Sequence, residues 1–140
     1  MPPHLFVYGS LMPHLTVPFG RAERMRLAAE GAAIGTATIQ GRLFNLGTHP
    51  GLIIAPDDPR AIAVHGVLLS LEAPDATFRW LDPFEDIERG RAVDLNFYAR
   101  NLAAVRTDSG GDIEAWVYVM RRMPEKAPEL SSGRWPAPCL

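Results

Sequence analysis

The sequence LFVYGSL at residues 5–11 is a short apolar run that stops at a glycine close to the start of the chain. Val7 and Tyr8 favour extended backbone, and Gly9 permits dihedrals closed to other residues and a close approach of a ligand to the main chain. We therefore expect a strand that ends in a turn with free N–H groups. The rest of the chain is expected to form a frame around that turn.

The length and composition predict an ordinary globular protein. A chain of 140 residues is expected to form a single domain, residues 1–140, that buries about two-thirds of the surface its unfolded chain exposes. Hydrophobic residues make up 47% and charged residues 21% of the sequence, which is typical of folded proteins. The net charge is -2 and the thirteen arginines are scattered, which argues against a nucleic-acid partner. Arg21, Arg24 and Arg26 are expected on solvated faces.

Cysteine usage and hydropathy predict a cytoplasmic protein. Cys139 is the only cysteine of the sequence, so no internal disulfide is possible and a reducing compartment is expected. Residues 1–20 lack the basic start and long apolar core of a signal peptide, and no run approaches the roughly 18 apolar residues of a membrane span. We expect neither export nor a membrane anchor.

The first half of the chain combines one helix with several short strands. Pro18 near the start and Gly31 beyond the end bound a stretch with helical propensity. Short apolar runs, broken by glycine, proline and asparagine, predict strands at 34–39, 42–46, 52–55 and 61–71. The last run is apolar in both alternating sets, as expected for a strand buried on both faces in a barrel or covered sheet.

The second half of the chain predicts a helix, a hairpin and an irregular end. In order, the sequence indicates a helix at 74–81, a turn at 82–83, a surface excursion at 87–96, and strands at 97–106 and 113–120. The two strands flank Gly110 and Gly111 in a connection typical of a hairpin. A proline-rich tail at 124–140 is predicted to be irregular, and there is no linker long enough to divide the chain.

Few residues are candidates for chemistry. The four histidines show neither the pairing nor the clustering of metal ligands, so each is expected to be structural and no metal site is predicted. Ser10 lies in no Gly-x-Ser-x-Gly elbow and has no recognisable base. In the acidic cluster at 82–88, Glu85 stands out because Phe84 and Trp80 would place it beside apolar surface. Such a position raises the pKa of a carboxyl toward that of a useful general base.

Seven short motifs, taken together, resemble the gamma-glutamyl cyclotransferase-like family, which includes avirulence-induced-gene-like and gamma-glutamylamine cyclotransferase branches. The resemblance covers nearly the whole chain, and its motifs follow one another in the family's order. They are Tyr8-Gly9-Ser10-Leu11, Pro50-Gly51, Val64-His65-Gly66, Leu81-Asp82-x-x-Glu85, Tyr98-x-Arg100, Tyr118 and Ser132-Gly133-x-Trp135.

The resemblance implies an α+β fold, a small mixed, mostly antiparallel β-barrel with a few packed helices, and an active-site cavity at one end. It implies Glu85 as the catalytic acid/base and no metal or organic cofactor. The implied substrate is a small gamma-glutamyl compound, cyclised to 5-oxoproline with release of an amine or amino acid. Asp86 stands where the family often has glycine, and its charge is expected to raise the pKa of Glu85 further. The implied substrate-binding residues are Tyr8, Gly9, Ser10, Leu11, Tyr98 and Tyr118.

Three other functions remain open at the level of sequence. A non-catalytic binding protein would keep the family's cavity without turnover. An interaction protein would use the turn only to end a strand, with no cavity between the turn and Glu85. A third possibility is that the turn binds a phosphate or another anion, although the only lysine, Lys126, lies in the tail. The sequence predicts neither the leaving group nor the oligomeric state.

Overall fold

The structure is a computed structural model that describes residues 1–88, 90, 92 and 96–136. Residues 89, 91 and 93–95 of the predicted excursion and residues 137–140 of the predicted tail, including Cys139, lie outside the described residues. In chain order the elements are β1 (His4–Val7), α1 (Arg21–Glu30), β2 (Gly31–Asn45), β3 (Pro50–Ile54), β4 (Ile62–Leu71), α2 (Pro74–Phe84), β5 (Tyr98–Thr107) and β6 (Asp112–Met120).

Five strands form a closed barrel. The strands are hydrogen-bonded in the order β2-β4-β1-β6-β5, and a pairing between β2 and β5 closes the ring, with β3 attached to the outside of β2. The β1 and β6 strands are parallel, and the other neighbouring strands are antiparallel. The prediction of a mixed, mostly antiparallel barrel with packed helices is confirmed.

The long strand β2 connects most of this sheet. It pairs with β4 through residues 31–41, with β3 through residues 41–45 and with β5 at Ala37 and Thr38. The sequence predicted two strands here, which is wrong because Gly41 continues the strand instead of breaking it. A Cβ at Gly41 would lie 2.4 Å from the carbonyl oxygen of Ile53, so glycine is needed where β3 approaches closely.

The β4 strand is buried on both faces, as its two apolar sets predict. Val64 and Leu68 belong to the cluster that fills the barrel with Phe6 and Val117. The alternate residues, 67, 69 and 71, pack outside the barrel in the cluster that contains residues of both helices. The helices therefore cover one side of the barrel and complete a second apolar layer.

The first helix lies where the sequence predicts it, whereas the second extends beyond its predicted end. α1 begins at Arg21, after Gly20 as its N-cap, and ends at Glu30, directly before Gly31, the first residue of β2. α2 continues through Pro83 to Phe84, so the predicted turn at 82–83 is wrong. Pro83 has no N–H and removes one internal hydrogen bond, and the helix ends one residue later, at Phe84. Consequently Glu85 directly follows the helix and is its C-cap residue.

The segment after β6 packs against β2. The N–H of Leu130 donates to the carbonyl of Leu43 over 2.7 Å. Arg42 donates to both carboxylate oxygens of Glu129, at 3.0 and 2.6 Å, and Trp135 is buried among the residues that fill the barrel. No helix in the described part of the chain is long and apolar enough to cross a membrane.

Candidate active site

A cavity of about 480 Å³ lies beside the end of β1 and the end of α2. Its walls also include the beginnings of β3 and β5 and the later part of β6. The structure brings all seven predicted site residues to this one cavity, namely Tyr8, Gly9, Ser10, Leu11, Glu85, Tyr98 and Tyr118. An interaction protein without a cavity between the turn and Glu85 is thereby excluded.

The turn after β1 leaves several main-chain donors without a partner. It is closed by the N–H of Met12, which donates to the carbonyl of Gly9 over 3.0 Å. The N–H groups of Gly9, Ser10 and Leu11 donate to no other group in the described part of the chain. All three residues line the cavity, and unpaired main-chain N–H groups in a turn are suited to binding an oxyanion.

The structural reason for Gly9 differs from the expected one. Its backbone does not have a positive φ, so unusual dihedrals do not require glycine here. A Cβ at this position would lie 2.6 Å from Cδ of Pro50. Glycine is therefore needed because the proline ring at the start of β3 packs directly on the turn.

A buried arginine fixes the far side of the turn. Arg24 in α1 donates to the carbonyl of Ser10 over 2.7 Å and to the carbonyl of Val17 over 2.8 Å. The expectation that Arg24 lies on a solvated face is wrong, because its side chain is buried while it satisfies two loop carbonyls. Arg21 and Arg26 are exposed, as expected. Only tertiary packing distinguishes these three arginines of one helix.

Glu85 presents an unpartnered carboxyl group to the cavity. Its N–H donates to the carbonyls of Leu81 and Asp82, at 3.0 and 3.1 Å, which fixes the backbone at the helix end. Its side chain has no hydrogen bond or ion pair with any described residue. Burial, and to a lesser extent the negative charge of Asp82, raises the pKa of Glu85 to about 8. A carboxyl with this pKa can both accept and return a proton near neutral pH.

Asp82, rather than Asp86, is the charge that acts on Glu85. The sequence predicted Asp86 in this role, which is wrong, since the electrostatic contribution to the raised pKa comes from Asp82. Asp82 accepts hydrogen bonds from the hydroxyl of Tyr118 at 2.6 Å and from Nε of Arg100 at 2.9 Å. Its charge is therefore held in place beside the cavity.

Arg100 is itself fixed between two rings. The guanidinium carbon lies 3.9 Å from the ring centroid of Phe78 and 4.4 Å from that of Trp116. This arrangement is a double cation–π contact in a partly buried position. Residues of α2, β5 and β6 thus form one network behind Glu85.

The three tyrosines of the site are neutral hydrogen-bond donors. Burial raises the pKa of Tyr8, Tyr98 and Tyr118 well above the usual range. The hydroxyl of Tyr8 donates to the carbonyl of Tyr118 over 2.5 Å, and that of Tyr98 donates to the carbonyl of Pro50 over 2.8 Å. These bonds link strands around the cavity and hold its walls together.

Several lining residues were not predicted from the sequence. Phe19, Phe84 and Phe97 contribute aromatic rings, and His49, expected to be structural only, lines the cavity as well. These residues occupy separate positions along the chain and form no motif. Among the described residues there is no group of three or more His, Cys, Asp or Glu side chains that could hold a metal ion.

The fold and site together define a small barrel with a cavity lined both by the turn after β1 and by the half-buried carboxyl group of Glu85. The chain belongs to the family described as "Gamma-glutamyl cyclotransferase, AIG2-like", whose family model matches residues 5–137. This result confirms the resemblance seen in the motifs. No curated protein sequence matches the chain.

Several solved structures share the fold. YkqA from Bacillus subtilis is 26% identical with a TM-score of 0.65, and the match covers 96% of this chain but only 40% of YkqA. An AIG2-like protein from Mus musculus is 23% identical with a TM-score of 0.60, over 85% of this chain and 77% of that protein. A gamma-glutamyl cyclotransferase is 21% identical with a TM-score of 0.57, over 90% and 70% of the two chains. The last two similarities show the fold alone.

Proposed function

We propose that the protein is a gamma-glutamyl cyclotransferase that converts a gamma-glutamyl amide or peptide into 5-oxoproline and releases an amine or amino acid. The observation that carries the proposal is the unpartnered carboxyl of Glu85, with a pKa of about 8, in the same cavity as the free N–H groups of the turn. Membership of the family supports the same reaction.

The substrate supplies both the nucleophile and the electrophile. Its alpha-ammonium gives one proton to the carboxylate of Glu85, and the resulting amine attacks the gamma-carbonyl carbon. The new C–N bond closes a five-membered ring, and the carbonyl oxygen takes the negative charge. The attack leaves the ring nitrogen positively charged, with one hydrogen too many. When the amide C–N bond breaks, the negative charge returns to the carbonyl and the proton moves from Glu85 to the leaving nitrogen. The Glu85 carboxylate then takes the extra proton from the ring nitrogen and passes it to the released amine, which leaves as an ammonium ion. Atoms and charges balance without a further reactant.

The turn is proposed to hold the glutamyl end of the substrate. The N–H groups of Gly9, Ser10 and Leu11 are suited to the alpha-carboxylate or to the developing oxyanion. Because the reaction is intramolecular, holding the substrate in the folded conformer is worth on the order of 7 to 11 kcal/mol. The hydroxyl groups of Tyr8, Tyr98 and Tyr118 are bonded within the protein, so the tyrosine rings act as walls of the site.

The raised pKa of Glu85 matches this role. A carboxylate of ordinary pKa is a weak base toward an ammonium group. The pKa of Glu85, about 8, is closer to the pKa of the substrate's ammonium group and favours proton transfer in both directions. Burial makes the carboxylate more basic because it is poorly solvated.

The test is a screen of gamma-glutamyl amines and dipeptides for released 5-oxoproline, with wild-type protein and the Glu85→Gln variant. We expect Glu85→Gln to lower turnover by about 10² to 10⁴ while it still binds the substrate. Glu114→Gln, at an exposed position of β6, is the matched control and is expected to keep full activity. If wild-type protein binds gamma-glutamyl compounds but never forms 5-oxoproline, it is a non-catalytic binding protein and the proposal is wrong.

A further inference from the structure

Five aromatic rings form one continuous wall of the cavity, called the aromatic wall below. It consists of Phe19, His49, Phe84, Phe97 and Tyr98, all of which line the cavity. The ring of Phe19 is stacked on His49 with 5.3 Å between centroids and lies 5.9 Å from the ring of Phe84. The ring of His49 lies 6.3 Å from Tyr98, and Tyr98 meets Phe97 edge to face at 4.8 Å.

The aromatic wall is held by secondary structure at four separate places. Phe84 is the last residue of α2, and Phe19 directly precedes the N-cap residue of α1. His49 and Phe97 directly precede β3 and β5, respectively. Phe84 is also adjacent to Glu85 in sequence, so the wall begins beside the proposed acid/base.

Part of the aromatic wall is left open to a ligand. Phe19 is 40% exposed and Phe97 is 45% exposed, although both residues line the cavity. Covering such surface with an apolar ligand removes it from water and favours binding. Burial also lowers the pKa of His49, which keeps its ring neutral at physiological pH and suited to stacking.

The surroundings of the aromatic wall disfavour an anionic leaving group. No described Lys or Arg side chain lines the cavity. A carboxylate on the leaving group would lose water against rings that cannot replace it. The glutamyl end already carries both charged groups of the substrate, and these are assigned to the turn and to Glu85.

Within the proposed function, on which this inference rests, we infer that the leaving group is an amine with an aromatic ring and no carboxylate. The substrate is then a gamma-glutamyl arylalkylamide. Its glutamyl end lies between the turn and Glu85, and the ring of its amine lies on the aromatic wall. Phe19 and Phe97 determine this specificity without taking part in the chemical step.

Three compounds isolate the two features of the leaving group. Gamma-glutamylphenethylamide has the ring and no carboxylate, gamma-glutamylphenylalanine has both, and gamma-glutamylmethylamide has neither. For wild-type protein we expect kcat/KM for the phenethylamide to exceed that for each of the others by about tenfold or more. A higher kcat/KM for the phenylalanine compound than for the phenethylamide would overturn the inference.

Substitution of Phe19 tests whether the leaving group lies on the aromatic wall. We expect Phe19→Ala to lower kcat/KM for the phenethylamide about tenfold and to change kcat/KM for the methylamide by less than about twofold. Phe19→Leu, which keeps an apolar side chain, is expected to recover part of the loss. Met123→Ala replaces an exposed apolar residue that does not line the cavity and is expected to change neither value. An equal loss for both substrates in Phe19→Ala would contradict the proposed position.

Binding to the Glu85→Gln variant, measured by calorimetry, separates this inference from the proposed function. Suppose that wild-type protein forms 5-oxoproline from the methylamide but neither binds nor turns over the phenethylamide better than the methylamide. The inference about the leaving group is then wrong, and the proposed function stands. If no compound is turned over by wild-type protein, yet Glu85→Gln binds the phenethylamide about tenfold more tightly than the methylamide, the proposed function is wrong and the aromatic subsite stands.

Discussion

The turn at residues 8–11 and the end of α2 line the same cavity but are built on different principles. The turn offers main-chain N–H groups, whose positions depend on Pro50 packed on Gly9 and on Arg24 bonded to Ser10. The helix end offers one side chain, Glu85, whose acidity depends on burial and on a nearby charge. Substitutions around the turn should therefore change substrate binding, whereas those around the helix end should change the pH dependence.

The largest expected effect on stability is at the helix end, in the Glu85→Gln variant. Below about pH 4.5 the carboxyl is protonated in both the folded and the unfolded wild-type chain. As the pH rises toward 8, only the unfolded chain ionises, so wild-type protein loses stability until the folded-state pKa of about 8 is passed. Chemical denaturation should show Glu85→Gln equal to wild type at pH 4 and more stable by up to about 4 kcal/mol at pH 9. A constant difference across this range would contradict the raised pKa.

Gly9→Ala should have the largest effect at the turn. The added methyl would meet the ring of Pro50 at 2.6 Å, so we expect a loss of about 2 to 3 kcal/mol in the free energy of unfolding and a raised KM. Gly111→Ala is the matched control, since its Cβ would have no neighbour closer than 3.9 Å.

The Pro50→Ala substitution tests the cause of that effect. Removing Cγ and Cδ of the Pro50 ring makes room for the methyl group of Gly9→Ala. The Gly9→Ala/Pro50→Ala double variant should therefore be more stable than the sum of the two single effects predicts. Strict additivity in a double-mutant cycle would show that the contact with Pro50 is not the reason for glycine.

Arg24→Met should weaken the same half of the site by a smaller amount. The carbonyls of Ser10 and Val17 would lose their donor, at a cost of about 2 kcal/mol, and the turn would be less well fixed. We expect KM to rise while the pH midpoint of kcat/KM stays unchanged. Arg21→Met, at an exposed position of the same helix, should leave both values as in wild type. A shift of the pH midpoint in Arg24→Met would break the proposed division between the two halves.

The smallest effect is expected from Asp82→Asn, which should move the pH profile. In wild type, kcat/KM should rise with pH through the ionisation of Glu85, at about pH 8. Removing the charge of Asp82 lowers the pKa of Glu85, so the midpoint should move to lower pH by about one unit or less. Asp75→Asn neutralises an exposed acid in the first turn of the same helix and should leave the midpoint in place. A pH midpoint of kcat/KM that rises in Asp82→Asn would contradict the assignment of Asp82 as the charge that raises the pKa of Glu85.

The barrel could be predicted largely because strands have a clear local pattern. The double-sided apolar pattern of 61–71 and the glycine connection at 108–112 correspond to β4 and to the β5–β6 hairpin. Strand continuity was harder, since Gly41 has the appearance of a break and is instead a close contact with β3. Local pattern also could not show that α2 continues through Pro83.

The candidate site could be predicted in part, through short motifs that lie at the ends of strands and helices. The turn and Glu85 were named from the sequence, and the structure places them at one cavity. Arg24 was misjudged because burial of one arginine among three on a helix has no local signal. Phe19 and His49 were missed because their contact joins the start of one helix to the start of a strand.

The sequence by itself determined the strand and helix types, the abrupt end of β1 at a glycine, and the presence of a glutamate beside apolar residues, because these depend on neighbours along the chain. Only the tertiary structure decided that residues 8–11 meet Glu85, that Asp82 rather than Asp86 acts on it, and that five separate rings form one wall. These contacts join residues that are far apart along the chain and line one cavity, and desolvation inside that cavity raises the pKa of Glu85.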